Sequence, residues 1–197
     1  MKYTQIPQDT FKNIQLNAGV LLKEFVPDTG TLKATDILGA TSGGANFTAT
    51  PSFIDFGEDI DNCPKNVKEL KKLDGWEAKM SGTFVTVTAG LASKLTGAAD
   101  EEGGKITPRS ELKASDFADL WWVGDYSEVN EDGTGGGNAG FCAIRMLNSL
   151  STGGFQIQSG EKTKGQFAFE FTGHYSMDAP ETVPFEIYVK AGTEVAA

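Results

Sequence analysis

Strict alternation marks residues 166–172, where Phe167, Phe169 and Phe171 fall on one face and Ala168, Glu170 and Thr172 on the other. A period of two over this length predicts a half-buried β-strand. The reading extends to four strands in the C-terminal half, at residues 141–150, 154–158, 165–175 and 183–189. Residues 76–89 predict another. There Trp76, Ala78, Met80, Gly82 and Phe84 form an inward row that passes to Val85 and Val87 with a change of phase near Gly82, and a β-bulge would account for it. Residues 83–88 are rich in β-branched side chains, which suit a pleated strand. Residues 46–56 also alternate, and Pro51 inside that run predicts an edge strand or a bulge. A first strand is expected at 18–26, stopped by the turn residues Pro27, Asp28, Thr29 and Gly30.

Helical spacing occurs twice. Leu91, Leu95 and Ala98, closed by Gly97 and Gly103, predict a short helix. The principal helix is expected next: Ser115 and Asp116 are N-cap types, Phe117, Leu120 and Trp121 fall at i, i+3 and i+4, and Gly124 would stop it. Glycine-rich residues 35–44, the charged stretch 57–74 and residues 125–140 are expected as loops, the second with a short element near 68–73. Residues 1–17 carry Phe11, Ile14 and Leu16 as scattered anchors and read as an N-terminal arm that orders on a partner. The expected fold is mainly β: a β-sandwich or barrel of about eight strands with one flanking α-helix. It forms a single domain over 18–197 that includes the long loop 57–74.

Charge narrows the functions this fold could serve. The chain has 17 basic and 27 acidic side chains, a net charge of −10. Phosphate backbones are held by Lys and Arg, so a chain this acidic is a poor binder of nucleic acid. It could still surround DNA without adhering, because a wall that repels phosphate lets a polyanion slide. Acidity that merely keeps the protein soluble is the equal alternative. Cys63 and Cys142 lie outside any CxxC pair or zinc spacing and read as small buried hydrophobes in a reducing compartment, with a disulfide left open. No apolar run approaches the ~20 residues of a membrane span. Residues 1–7 have no apolar signal core, so export by the general secretory route is not expected.

Candidate chemistry is sparse. His174 is the one histidine, and no nucleophile and carboxylate accompany it as a triad would require, so a structural role is expected. Residues 135–140 match GxGxxG, but a loop precedes them and a strand is expected after them, the reverse of a dinucleotide site. Residues 128–133 resemble the first half of a calcium loop, yet Ala139 stands where a bidentate Glu is needed; weak calcium binding there stays open. Trp121 and Trp122 could form a sugar platform, although a core Trp121 and a Trp122 at a seam or subunit contact is the preferred reading. No catalytic residue, cofactor or resident metal is therefore assigned.

Several stretches resemble the major tail protein (tail tube protein) family of siphophages and prophages. They are residues 14–25, with Asn17, Ala18, Gly19, Val20 and Leu21; residues 55–64, with Asp55, Phe56, Gly57 and Cys63, followed by Glu69, Leu70 and Lys71; and residues 106–109 leading to 116–126, with Asp116, Phe117 and Trp121. Gly153, Gly154 and Phe155, residues 164–167, 173–176 and 184–187 complete the resemblance. It implies a non-enzymatic virion protein with a β-sandwich and flanking helix. Six subunits join their sheets into a ring, and rings stack into a tube that conducts DNA during ejection without binding it specifically. The implied partners are the chain itself, a tape measure protein and other tail proteins, with no membrane. The implied location is the virion tail, preceded by the host cytoplasm during assembly. The arm and residues 57–74 would tie one ring to the next, and acidic residues on one strand face would line the lumen. Rival readings are a secreted or surface β-sandwich adhesin, a carbohydrate- or calcium-binding module, and the tube of a contractile injection system.

Overall fold

The computed structural model describes residues 14–15, 17–30, 32–125 and 140–190. The N-terminal arm is thus mostly outside the described residues, as are the 128–133 loop and most of the 135–140 glycine motif. Nine strands are described. They are β1 (Val20–Leu22), β2 (Thr41–Asp55), β3 (Lys71–Phe84), β4 (Ala99–Glu102), β5 (Lys105–Pro108), β6 (Ala118–Asp125), β7 (Phe141–Ser151), β8 (Phe167–Thr172) and β9 (Phe185–Lys190). One α-helix, α1 (Ala89–Thr96), joins β3 to β4. The fold is mainly β and sandwich-like with one flanking helix, as the alternation predicts.

All pairings are antiparallel, and β7 is the strand on which the architecture turns. Along its first part β7 lies between β6 and β9; at Leu150 and Ser151 it pairs with β8 instead. The switch occurs at a bulge, because Leu147 and Asn148 of β7 stand opposite the single residue Asp119 of β6. Asn148 has φ 47°, a left-handed conformation that asparagine tolerates better than most residues. One half of the fold therefore runs β1-β6-β7-β9 and the other β7-β8-β3-β2.

The two halves enclose the larger core, which contains Met80, Phe84, Leu120, Met146, Phe169 and Phe171. A second cluster, with Phe25, Trp121, Val123 and Phe141, covers the other face of the β6–β7 sheet. The principal predicted helix is corrected by this arrangement. Residues 114–116 form a single 3-10 turn and residues 118–125 are the strand β6. Leu120 packs into the first core and Trp122 against it, while Trp121 and Val123 enter the second. A strand buried on both faces shows a continuous apolar run, which mimics helical spacing over so short a window.

The flanking helix is the shorter of the two predicted. Thr88 caps it, its Oγ1 accepting the N–H of Leu91 at 3.2 Å, and Gly97 ends it at φ 87°. Leu91 and Leu95 reach the main core, which supplies the stability that so short a helix lacks alone.

Other expectations need correction. The first strand spans only Val20–Leu22. Residues 154–158 contribute one bridge, Gln158 to Gln166, and no strand. β2 begins at Thr41, inside the predicted loop 35–44, and β3 begins at Lys71, shortening the 57–74 loop. The change of phase near Gly82 does not exist in β3: Ala78, Met80 and Phe84 are one buried row, and the strand stops before Val85. The bulge is on the neighbour, where β2 carries the extra residues between Thr41 and Ala45. Gly43 and Gly44 both take positive φ there. The hairpin β4–β5 was not expected at all. Cys63 and Cys142 are half-buried rather than buried, and neither is in a disulfide.

Candidate functional surface

Pro51 satisfies both expectations for a proline in a strand. β2 pairs only with β3 among the described residues, and its register with β3 shifts between Ser52 and Phe53. Opposite Pro51, the N–H of Trp76 points away from β2 and donates to Tyr175 Oη at 2.9 Å. In an antiparallel pair of that kind both backbone nitrogens face outward, so the missing N–H of Pro51 falls on the open side of the edge.

β9 forms the opposite boundary and pairs only with β7 among the described residues. Ile187 and Val189, on the same sheet face as Ile144, are 55% and 66% exposed. Natural edge strands are usually blunted by lysines, prolines or bulges. β2 has a proline and a bulge, whereas β9 has only Lys190 at its end. Beyond the bulge, β2 and β3 run out to a turn where Phe53, Phe56, Ile60 and Leu73 are exposed. Lys71 Nζ there stands 5.4 Å from the centre of the Phe53 ring.

Between these edges, the outer face of the β8-β3-β2 sheet is polar. Ala78, Met80 and Phe84 of β3 and Phe167, Phe169 and Phe171 of β8 are buried, while no residue of the outer rows is. Asn46, Thr48, Thr50 and Ser52 of β2 pair across with Ser81, Lys79, Glu77 and Gly75 of β3. Thr172, Glu170 and Ala168 of β8 pair with Lys79, Ser81 and Thr83. Thr152 Oγ1 lies 2.9 Å from Thr172 Oγ1 and donates to Glu170 at 3.1 Å. Between residues 75 and 83 of β3 and along β8, charge on this face is confined to Glu77, Lys79 and Glu170; nearer the turn, Asp74 accepts a hydrogen bond from Ser52 and Lys72 stands opposite Ile54. The Lys79 ammonium is 2.6 Å from the Glu77 carboxylate, whose hydrogen bond and charge hold its pKa above the usual lysine range.

The sequence singled out other residues, and their places explain them. His174 pins the β7 corner: its Nδ1 lies 3.1 Å from Asn148 O, Asn148 Nδ2 donates to His174 O, and its ring meets Phe117 edge-on. Trp121 is 5% exposed and packs against Phe25 and Tyr188. Arg145 lies 5.4 Å from the centre of its ring and is held by Asp119 and Glu186. Trp122 donates its indole N–H to Ala18 O, with Gly19 close against the ring. Trp121 is buried, whereas Trp122 is half-buried with its N–H engaged. Among the described residues no group of three or more His, Cys, Asp or Glu gathers to hold a metal.

Two features lay beyond the sequence reading. Asn17 fastens the N-terminal segment to the end of β6, donating to Asp125 Oδ2 at 2.9 Å and accepting the Asp125 N–H at 3.2 Å. The hydroxyl face itself arises from register between strands distant in sequence, which periodicity within one strand does not specify. The chain matches no protein-family model, and no curated protein matches it either.

Proposed function

We propose that this chain is a structural subunit that self-assembles into stacked rings, the tail tube of a long-tailed phage or prophage, through which DNA passes. The observation that carries the reading is the open β9 edge with Ile187 and Val189 uncovered, set against the open edge of β2 on the other sheet half. An uncovered apolar edge strand is a hazard to a monomer and is removed when copies close into a ring. Heterologous contacts of this kind build rings when the rotation closes, and filaments when it does not. The outer face of the β8-β3-β2 sheet supports the same reading, since hydroxyls with little net charge give a phosphate backbone little to hold. The arm and the β2–β3 turn serve as ties between rings.

The sugar-binding alternative gains nothing from Trp121 and Trp122, which are engaged in packing. Electron microscopy of the purified full chain at high concentration tests the proposal. Rings or tubes are expected, and a population that stays monomeric under those conditions overturns it.

A further inference from the structure

We infer that Glu77 masks Lys79 on the outer sheet face and thereby keeps that face from holding polyanions. The inference rests on the tube reading for its biological meaning, but its chemistry is local. Lys79 sits in the middle of the face, between Thr48 of β2 and Thr172 of β8. In the three-strand region (residues 46–52, 75–83 and 168–172) it is the one cation, beside the carboxylates of Glu77 and Glu170. Two negative charges and one positive leave that region at −1, a small part of the chain's −10. The remaining polar side chains of the face are neutral hydroxyls and one amide.

Lys79 is therefore the only group in this region with which a phosphate could form an ion pair. An exposed ammonium binds phosphate as a point charge unless an anion already occupies it. Glu77 stands two residues earlier on the same strand face and contacts it at 2.6 Å, and Glu170 adds a second negative charge from β8. An exposed pair of this kind contributes little to stability. Its consequence is electrostatic: within this three-strand region the hydroxyl face presents no cation without a carboxylate beside it. In an assembly of identical subunits an unmasked lysine would recur in every copy, and weak contacts along one polymer multiply.

The test uses the full-length protein with double-stranded DNA as the probe. Retention is measured across about 50 to 200 mM salt, the range over which phosphate contacts weaken steeply. Glu77→Gln should gain DNA retention over the unsubstituted chain. The gain should fall about 3.5-fold over that fourfold rise in salt, as one added phosphate contact requires. Glu77→Gln combined with Lys79→Gln should return to the behaviour of the unsubstituted chain. Glu102→Gln makes the same change in net charge on an exposed residue of β4 and should leave retention unchanged. A Glu77→Gln protein that holds no more DNA, or a Glu102→Gln protein that gains as much, overturns the masking. Microscopy of the unsubstituted chain reads assembly separately. Failure to form rings sinks the tube reading and leaves the masking result standing, whereas rings with an unresponsive Glu77→Gln sink the masking alone.

Discussion

Gly82 of β3 lies directly beneath the ring of Phe169, its partner on β8: a Cβ at Gly82 would stand 2.7 Å from Phe169 Cζ and 2.9 Å from Cε1. Gly44 O approaches the same point at 3.0 Å. The glycine is thus required by close approach, since Gly82 has no positive φ. Phe169 is buried and stacks with Phe84 at 4.6 Å between ring centres, so it has little freedom to move aside.

Gly82→Ala should accordingly destabilise the fold by about 1–3 kcal/mol, the usual cost of overpacking a filled core. For a domain of this size that corresponds to a fall in Tm of roughly 2–4 °C per kcal/mol, measured by thermal denaturation. Gly43→Ala is the contrasting variant. Nothing lies within 4 Å of its Cβ, and the cost comes only from φ 80°. An alanine at Gly82 tolerated without loss of Tm would show that the Phe169 ring yields.

How much of this was legible in the chain depends on what each strand faces. β8 shows its alternation plainly because Phe167, Phe169 and Phe171 enter the core while Ala168, Glu170 and Thr172 remain on the polar face. β6 hides its period because Leu120, Trp121 and Val123 are all buried, on alternating sides. The hairpin β4–β5 has acidic residues where a pattern would be sought. Only Gly103 and Gly104, both at positive φ, mark its turn. Glu77 and Lys79 could be placed on one strand face from sequence, since they are two residues apart. Glu170 joins them only through the β3–β8 register. The open edges are likewise properties of strand order, to which Pro51 was the one local signal.

Acid should loosen the region around β4–β5. Asp116 accepts the N–H of Lys113 at 2.8 Å and faces Arg109, and both hold its carboxyl below the usual aspartate range. Asp100 is lowered in the same direction, first by its hydrogen bond from Lys113 Nζ at 2.8 Å. A carboxyl whose folded pKa lies below its unfolded value, about 3.9, contributes stability above that value and loses it as pH falls through the folded pKa. Asp116→Asn should therefore lower the urea midpoint at about pH 6, with a penalty that shrinks as the pH falls below the unfolded carboxylate value of about 3.9. The comparison is made by urea titration of both proteins at each pH, and a penalty of equal size at the two would contradict the linkage.

Introducing charge at the β9 edge should separate assembly from folding. Ile187 and Val189 are more than half exposed, and their neighbours on β7 are Ile144 and Cys142, paired across the strand. Lysine at an exposed edge position disturbs little within the subunit, and surface substitutions away from packed features usually stay within about 0.5 kcal/mol. The same lysine is what natural edge strands use to refuse a partner strand, because docking would strip water from an unpaired ammonium. Ile187→Lys with Val189→Lys should thus leave the Tm within about 4 °C while abolishing any species larger than a monomer in analytical ultracentrifugation. Equivalent charges on the outer face of β2, at Thr48 and Thr50, lie on a sheet face rather than on the apolar side of an edge, and should leave assembly intact if that face lines the lumen. A β9 double variant that still assembles would move the subunit contact away from this edge, and with it the main support for ring closure through β9.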